Sequence, residues 1–156
     1  LLGGVNTPSR AWSEPMEARR VALARALEPA GVEVARDADN RLRLRWPADR
    51  AFVADSDQPS TAAGAVWAQV AGALKNGPPS LQVRIQGHSE GGPQADRVAV
   101  LAMQRAQRVR DELRERGVPS AAMEVEAWGA RALLQADDGT EAVRARNRRI
   151  ELLVTD

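Results

Sequence analysis

The stretch "LQVRIQGHSEGGPQADRVAVLAMQRAQRVRDELRERGV", residues 81–118, carries the strongest fold signal because it holds a strand, a loop and a long helix in succession. Apolar and polar residues alternate over residues 81–87, which predicts a strand with one buried face. Helical periodicity then extends over residues 94–116, and Gly117 provides a helix stop. A strand followed by a long helix is typical of sheets that are covered by helices.

One charged residue of this helix, Arg105, lies on its apolar side. At about 100° per residue, one arc of the helix contains Val98, Leu101, Ala102, Ala106, Val109 and Leu113. Arg105 falls inside that arc, and burying a guanidinium is costly unless it meets an anion. Two interpretations stay open: Arg105 snorkels or forms an internal salt bridge, or its planar fork receives a ligand carboxylate. A ligand with a carboxylate often carries an amine too, and Glu90 at the strand edge is the candidate acid for that amine.

Outward from this unit, the sequence predicts further helices and strands. Residues 13–31 predict a helix with Ser13 as N-cap. Residues 32–46 predict a hairpin whose second strand places apolar residues on one face and arginines on the other. The remaining predicted elements are a loop over 48–61, a helix over 60–75, strands over 122–129 and 148–154, and between these strands a long connection with room for one helical turn. This order predicts an α/β (α+β) sandwich with a mixed sheet.

Composition narrows the function classes. The chain has 156 residues, a net charge of +1 and no cysteine. The balanced charge argues against nucleic acid as a partner, and the missing cysteines exclude a disulfide scaffold and a thiolate metal site. No stretch approaches the roughly 20 apolar residues of a membrane helix, so we expect any signal or anchor to lie outside this chain. We expect a lead-in and helix over 1–31 and one main domain over 32–156.

From Asn40 to Val154 the chain resembles the OmpA-like peptidoglycan-binding domain. "VRIQGHSEGG" is similar to the family's I-x-G-H-T-D-x-x-G strand and loop, and "RVAVLAMQRAQRVRDELRERGV" resembles its long helix. "AWGARALLQADDGTEAVRARNRRIELLV" resembles its ending, and "LRLRWPADRAFVADSD" resembles its opening strand and Phe-containing loop. The resemblance implies a β-α-β-α-β-β fold with helices on one side of the sheet, here preceded by an extra N-terminal helix and hairpin strand.

The resemblance also implies a function. Members are non-catalytic modules without cofactor or metal that hold meso-diaminopimelate in the stem peptide of peptidoglycan. We therefore expect a periplasmic domain that anchors an envelope protein or assembly to the cell wall, tethered to a membrane by a segment outside this chain. By resemblance, Glu90 receives the amine and Arg105 the carboxylate. The other expected ligand-binding residues are Ser89, Asp55, Leu101 and Ala106.

The chain departs from the family pattern at several positions. Glu90 stands where the family has Asp, and Ser89 where it has Thr, so the charge and the hydroxyl are kept. Val98 and Ala102 replace a polar Asn and Ser of the helix, and Leu133 replaces the Pro of the late loop. An alternative function therefore stays open: an OmpA-like scaffold with weak or no peptidoglycan binding that docks an envelope protein or forms a homodimer.

The remaining polar clusters favour structural roles. His88, the only histidine, is expected to be a packed or hydrogen-bonding residue, because consecutive residues point alternately up and down and cannot assemble a catalytic triad. The pairs Asp55/Asp57 and Asp137/Asp138 are expected to be turn acids rather than calcium ligands. For Arg146, Arg148 and Arg149, ion pairs at the start of a strand are favoured over contacts with phosphate or glycan.

Overall fold

The computed structural model of the chain describes residues 10–156, so the predicted lead-in over residues 1–11 lies largely outside the described residues. The helices are α1 Glu14–Leu27, α2 Ala48–Ala51, α3 Ala63–Leu74, α4 Ala95–Glu115 and α5 Glu141–Asn147. The strands are β1 Glu33–Arg36, β2 Leu42–Pro47, β3 Gln82–His88, β4 Met123–Gly129 and β5 Arg149–Thr155. Within residues 10–156, no helix combines the length and apolar character that crossing a membrane requires.

The five strands of the described residues form one mixed sheet in the order β1-β2-β5-β3-β4. β3 and β4 are parallel and are connected through α4, whereas the other neighbouring pairs are antiparallel. α4 packs on β3 and β4, α1 packs on β1, and α3 contacts both helices, which places the three long helices on one side of the sheet. The predicted α+β sandwich with a mixed sheet is confirmed.

Two connections contain more helix than the sequence predicts. Residues 48–51, predicted as loop, form the short helix α2, which Phe52 closes by donating its N–H to the Ala48 carbonyl at 2.9 Å. The connection before β5 contains α5, which is seven residues or about two turns long instead of one. Its signal in the sequence is Thr140, whose side-chain oxygen accepts from the Val143 N–H at the N-cap.

The core lies between the sheet and the three long helices. Apolar residues of β2 are buried and alternate with half-buried arginines, as the pattern predicts. Trp46 of β2 meets Trp67 of α3 edge to face, with ring centroids 6.1 Å apart. Met16 and Leu27 of α1 are buried in the same cluster, so the N-terminal helix shares the core of the sheet. Ser13 caps α1 by accepting from the Met16 N–H at 3.2 Å, as predicted.

A close approach between α4 and β3 fixes where the long helix lies. Gly87 is buried near the end of β3, and a Cβ built on it would lie 2.2 Å from the backbone oxygen of Ala102 and 2.7 Å from its carbonyl carbon. Backbone at that distance cannot move aside cheaply, so only glycine fits. The approach holds the middle of α4, one turn before Arg105, against the end of the central strand.

The opposite face of the sheet carries a buried polar network around His88. The His88 ring stacks on Trp128 with centroids 5.7 Å apart, and its Nε2 lies 3.0 Å from Gln86 Oε1. Because the Gln86 amide nitrogen donates to Glu126, its oxygen must accept, which places the His88 proton on Nε2. Burial, reinforced by the positive charge of Arg149, lowers the pKa of His88 to about 4. His88 is thus a neutral, packed residue of this network.

We expect Gly87→Ala to destabilise the protein by about 1–3 kcal/mol or more, because the added methyl group overlaps the α4 backbone. Gly72→Ala is the matched control: Gly72 is exposed on α3, and a Cβ there meets nothing within 4 Å. Since alanine favours helix over glycine, this control should be neutral or gain about 0.5–1 kcal/mol. Urea unfolding measures both changes, and equal stability of the two variants would contradict the close approach.

We expect the single histidine to titrate near pH 4 in the folded protein and near its usual 6.5 in urea. Between these pH values the unfolded chain binds the proton that folded His88 resists. The free energy of unfolding therefore falls as pH drops from about 6.5 to 4, by on the order of 3 kcal/mol from this group. NMR follows the titration directly, because the chain has one histidine. His88→Gln should lose this share of the pH dependence, and a folded midpoint near 6.5 would refute the assignment.

Candidate ligand-binding site

A cavity of about 660 Å³ opens where β3 ends. Its walls are the first three turns of α4, the short helix α2 with the loop that follows it, the end of β3 with the two residues after it, and the chain at both ends of α5. Its volume lies in the range of about 300–1,000 Å³ that is usual for small-molecule sites. The fold brings together five of the six predicted ligand-binding residues on its walls, namely Asp55, Ser89, Glu90, Leu101 and Arg105.

Arg105 is the buried cation of this cavity, with 5% of its surface exposed. Its Nε donates to the Ser56 carbonyl oxygen at 2.8 Å, and its guanidinium carbon lies 5.4 Å from the centroid of the Phe52 ring. Among the described residues no carboxylate forms an ion pair with it, and burial lowers its pKa. A desolvated guanidinium that no carboxylate contacts directly favours an incoming anion.

Glu90 is the acid that the sequence pairs with Arg105, and in this structure it is held by another arginine. Its Oε1 accepts from Arg148 Nη1 at 2.9 Å, and 14% of its side chain is exposed. Arg148 also binds Asp49 through two nitrogens, at 3.1 and 3.0 Å, and contacts Glu141. The hydrogen bond that Arg148 donates to Asp49 is the main reason why its pKa is raised; those that it donates to Glu141 and Glu90 add to this effect, and together they outweigh burial.

Sequence reasoning missed Arg148 as a residue of the cavity. Ion pairs form for two of the three arginines: Arg148 pairs with three acids, and Arg149 donates from Nε to Glu151 at 2.5 Å, whereas Arg146 pairs with no acid of the described residues. These two adjacent arginines have different positions: Arg149 is buried against the sheet, whereas Arg148 borders the cavity. The available signal was that Arg148 precedes β5, where a side chain is free of the alternation of the strand.

Ser89 and Asp55 add polar groups to the cavity. The Ser89 N–H donates to the Gly129 carbonyl at 2.9 Å, which fixes the chain just after β3. Its hydroxyl is buried and has no hydrogen-bond partner among residues 10–156. A buried unpaired hydroxyl costs about 1–3 kcal/mol, so a new hydrogen-bond partner would stabilise it. Asp55 is exposed and has a φ of 55°, a left-handed conformation that Asp tolerates better than most residues.

Ala106, the sixth predicted residue, lies outside the cavity. It is fully buried, and its Cβ would lie 3.3 Å from a Cβ built on Gly87. Adjacent residues of a helix point about 100° apart, so Arg105 reaches the cavity while Ala106 faces β3. The helical wheel places Arg105 and Ala106 on one apolar arc, but it does not show which side of the arc faces the cavity and which side faces β3.

The connection before β5 positions the arginine that holds Glu90. Asn147 is fully buried and grips this connection: its Oδ1 accepts from the N–H groups of Leu134 and Gln135, at 2.8 and 3.3 Å, and its Nδ2 donates to the Gln135 carbonyl at 2.9 Å. Arg149 donates to the Ala132 carbonyl at 2.8 Å. Because Arg148 lies between these two anchored residues, its side chain is directed at the cavity.

The charges of the cavity suit a small zwitterion. Its walls carry the cations Arg97, Arg105 and Arg148 and the acids Asp49, Asp55, Glu90 and Glu141. Within residues 10–156 no cluster of His, Cys, Asp and Glu could hold a metal ion. His88 bonds to Gln86 and the Ser89 hydroxyl bonds to neither, so the described residues contain no hydrogen-bonded nucleophile and base at this position. The arrangement can bind and orient a ligand that carries both charges.

Solved structures of known proteins share this fold. Among solved structures, the cell wall anchor of the T6SS from Pseudomonas aeruginosa is 28% identical, with a TM-score of 0.70 over 86% of this chain and 97% of that chain. The peptidoglycan-associated lipoprotein from Burkholderia pseudomallei is 30% identical, with a TM-score of 0.59 over 67% of this chain and 87% of that one. The periplasmic domain of Helicobacter pylori MotB is 22% identical, with a TM-score of 0.70 over 86% of this chain and 83% of that chain, and shares the fold.

No curated protein matches the sequence. The profile of the OmpA family matches residues 51–148, which run from the last residue of α2 to the residue before β5 and include every residue that lines the cavity except Asp49. The match covers more than half of the 156 residues. The chain therefore belongs to the OmpA family.

Proposed function

We propose that this domain binds peptidoglycan without catalysing a reaction, by holding the diaminopimelate of the stem peptide, and so anchors an envelope protein to the cell wall in the periplasm. The observation that carries the proposal is Arg105: a buried guanidinium without an acid partner among the described residues, in one cavity with Glu90. A carboxylate bound to Arg105 would complete its hydrogen bonding in bidentate geometry. Glu90 would then receive the ammonium group of the same ligand.

Two relatives above 25% identity support this function. One is described as a cell wall anchor and the other as a peptidoglycan-associated lipoprotein. The family match agrees with the expectation of a non-catalytic module. Both relatives are covered over more than four fifths of their solved chains, so the shared region is most of each.

Ligand binding would exchange one cation for another at Glu90. In the free protein the Glu90 carboxylate is bound to Arg148, and an ammonium group must share or replace that contact. Arg148 can release Glu90 without being left unpaired, because Asp49 and Glu141 also bind it. Ser89 lines the same cavity as Glu90, and its unpaired hydroxyl would gain from a hydrogen bond to the ligand.

A second candidate function rests on the apolar wall of the cavity. Val98 and Ala102 line it where the family pattern has polar residues. A cavity with fewer hydrogen-bonding groups would hold diaminopimelate less firmly, and the scaffold would then serve as a protein-interaction or dimerisation module. Sedimentation with purified sacculi separates the two functions, because the interaction module stays in the supernatant.

We expect Arg105→Ala to abolish sedimentation with sacculi, since losing a desolvated charge partner costs about 2–5 kcal/mol, some thirty-fold or more in affinity. Arg108→Ala is the matched control, because Arg108 lies on the same helix, outside the cavity, and is largely exposed. Arg105→Lys keeps the charge and loses the bidentate fork, so it should bind weakly while remaining folded. Retained binding by a folded Arg105→Ala protein would show that Arg105 is structural.

We expect Glu90→Gln to weaken binding of a diaminopimelate tripeptide by about tenfold or more, because the ammonium loses its charged partner. The matched ligand is the same peptide with the free amine acetylated. The wild-type protein should discriminate between the two peptides and Glu90→Gln should not, as calorimetry can measure. If acetylation affects both proteins equally, Glu90 does not receive the amine.

A further inference from the structure

The cavity extends well beyond the pair of residues that would hold one diamino acid. Its wall on α4 runs from Gln94 to Arg105 and includes Arg97. Arg97 and Arg105 are eight residues apart, which places their backbones about 12 Å apart along the helix. A single amino acid held between Arg105 and Glu90 would leave the Arg97 end of the cavity unfilled.

Arg97 is a cation that the protein does not neutralise. Its Nη1 donates to the neutral side chain of Gln94 at 3.1 Å, and it forms no ion pair with an acid of residues 10–156. The third arginine of the cavity differs in this respect, because Arg148 is shared by three carboxylates. Two of the three cavity arginines, Arg97 and Arg105, are therefore open to anions.

The wall between these two arginines is mostly apolar, with Gln104 as its one polar residue. Val98 and Leu101 are half-buried along it, and Val100 is 53% exposed, one of the most exposed large apolar residues described. A ligand that fits this wall has a carboxylate at each end and carbon between them. An extended peptide advances about 3.3–3.6 Å per residue, so a diamino acid side chain plus one further residue spans such a distance.

We propose that Arg97 forms a second anion subsite, which binds the free C-terminal carboxylate of the residue that follows the diamino acid in the stem peptide. The inference rests on the proposed function and deepens it, because it names which stems the domain prefers. Stems that end in a free carboxylate reach both arginines. Stems whose terminal carboxyl has been converted to an amide, as in a cross-link, reach Arg105 alone.

The test uses two diaminopimelate tetrapeptides that differ only in a free or an amidated C terminus, titrated by calorimetry into four proteins. The wild type should bind the free acid two- to fivefold more tightly, which is the range for a partly exposed ion pair. Arg97→Gln should lose this preference and keep its affinity for the amide. Arg108→Gln, which removes the same charge outside the cavity, should behave as the wild type.

The outcomes distinguish failure of the second subsite from failure of the proposed function. If both peptides bind the wild type equally and Arg97→Gln changes neither, the second subsite is refuted and the proposed function stands. If neither peptide binds and Arg105→Ala, the fourth protein, is equally silent, both are refuted. Because Arg97 is exposed and outside the core, its replacement should leave the fold unchanged, which thermal unfolding checks.

Discussion

The backbone contact between Gly87 and Ala102 is the constraint on which the rest of the site depends. A side chain at Gly87 would come within 2.2 Å of the helix backbone, so the sheet accepts α4 at this depth only because glycine is there. At that depth Arg105, one turn further along, is desolvated and faces the residues that follow β3. Fold and site therefore share one requirement: the contact that closes the core also places the buried cation beside Ser89 and Glu90.

Arg148 holds together the acidic side of the cavity, opposite α4. It joins Asp49 after β2, Glu90 after β3 and Glu141 at the start of α5, three segments that are distant in the sequence. Each ion pair alone is partly exposed and contributes little to stability in water. Together they connect the acids around one guanidinium whose backbone is anchored by its neighbour Asn147. The free site is consequently preformed, with its negative groups gathered before any ligand arrives.

Local sequence patterns predicted most of the secondary structure, and the features that they missed depend on contacts between residues that are distant in the sequence. Alternation and helical periodicity located the strands and long helices, and the position of Arg105 on an apolar arc indicated its burial. The hydrogen bond from Arg148 to Glu90 joins residues 58 positions apart, and helix or strand periodicity cannot predict such a long-range pair. The direction of Ala106 depends on which part of the arc α4 turns toward β3, and packing decides that. The roles of the cavity residues toward a ligand stay predictions.

The near-balance of charge in the cavity bears on how the domain would respond to its surroundings. Its ion pairs are short, 2.9 Å from Arg148 to Glu90 and 3.0 Å to Asp49, whereas mobile ions screen over about 8–10 Å at physiological ionic strength. The diamino acid end of the ligand, with one carboxylate and one ammonium group, has no net charge for a distant field to attract, so electrostatic steering adds little to its arrival. Attachment through this end would thus be governed by local fit and by the density of ligands nearby, and it would change little when the salinity outside the cell rises or falls.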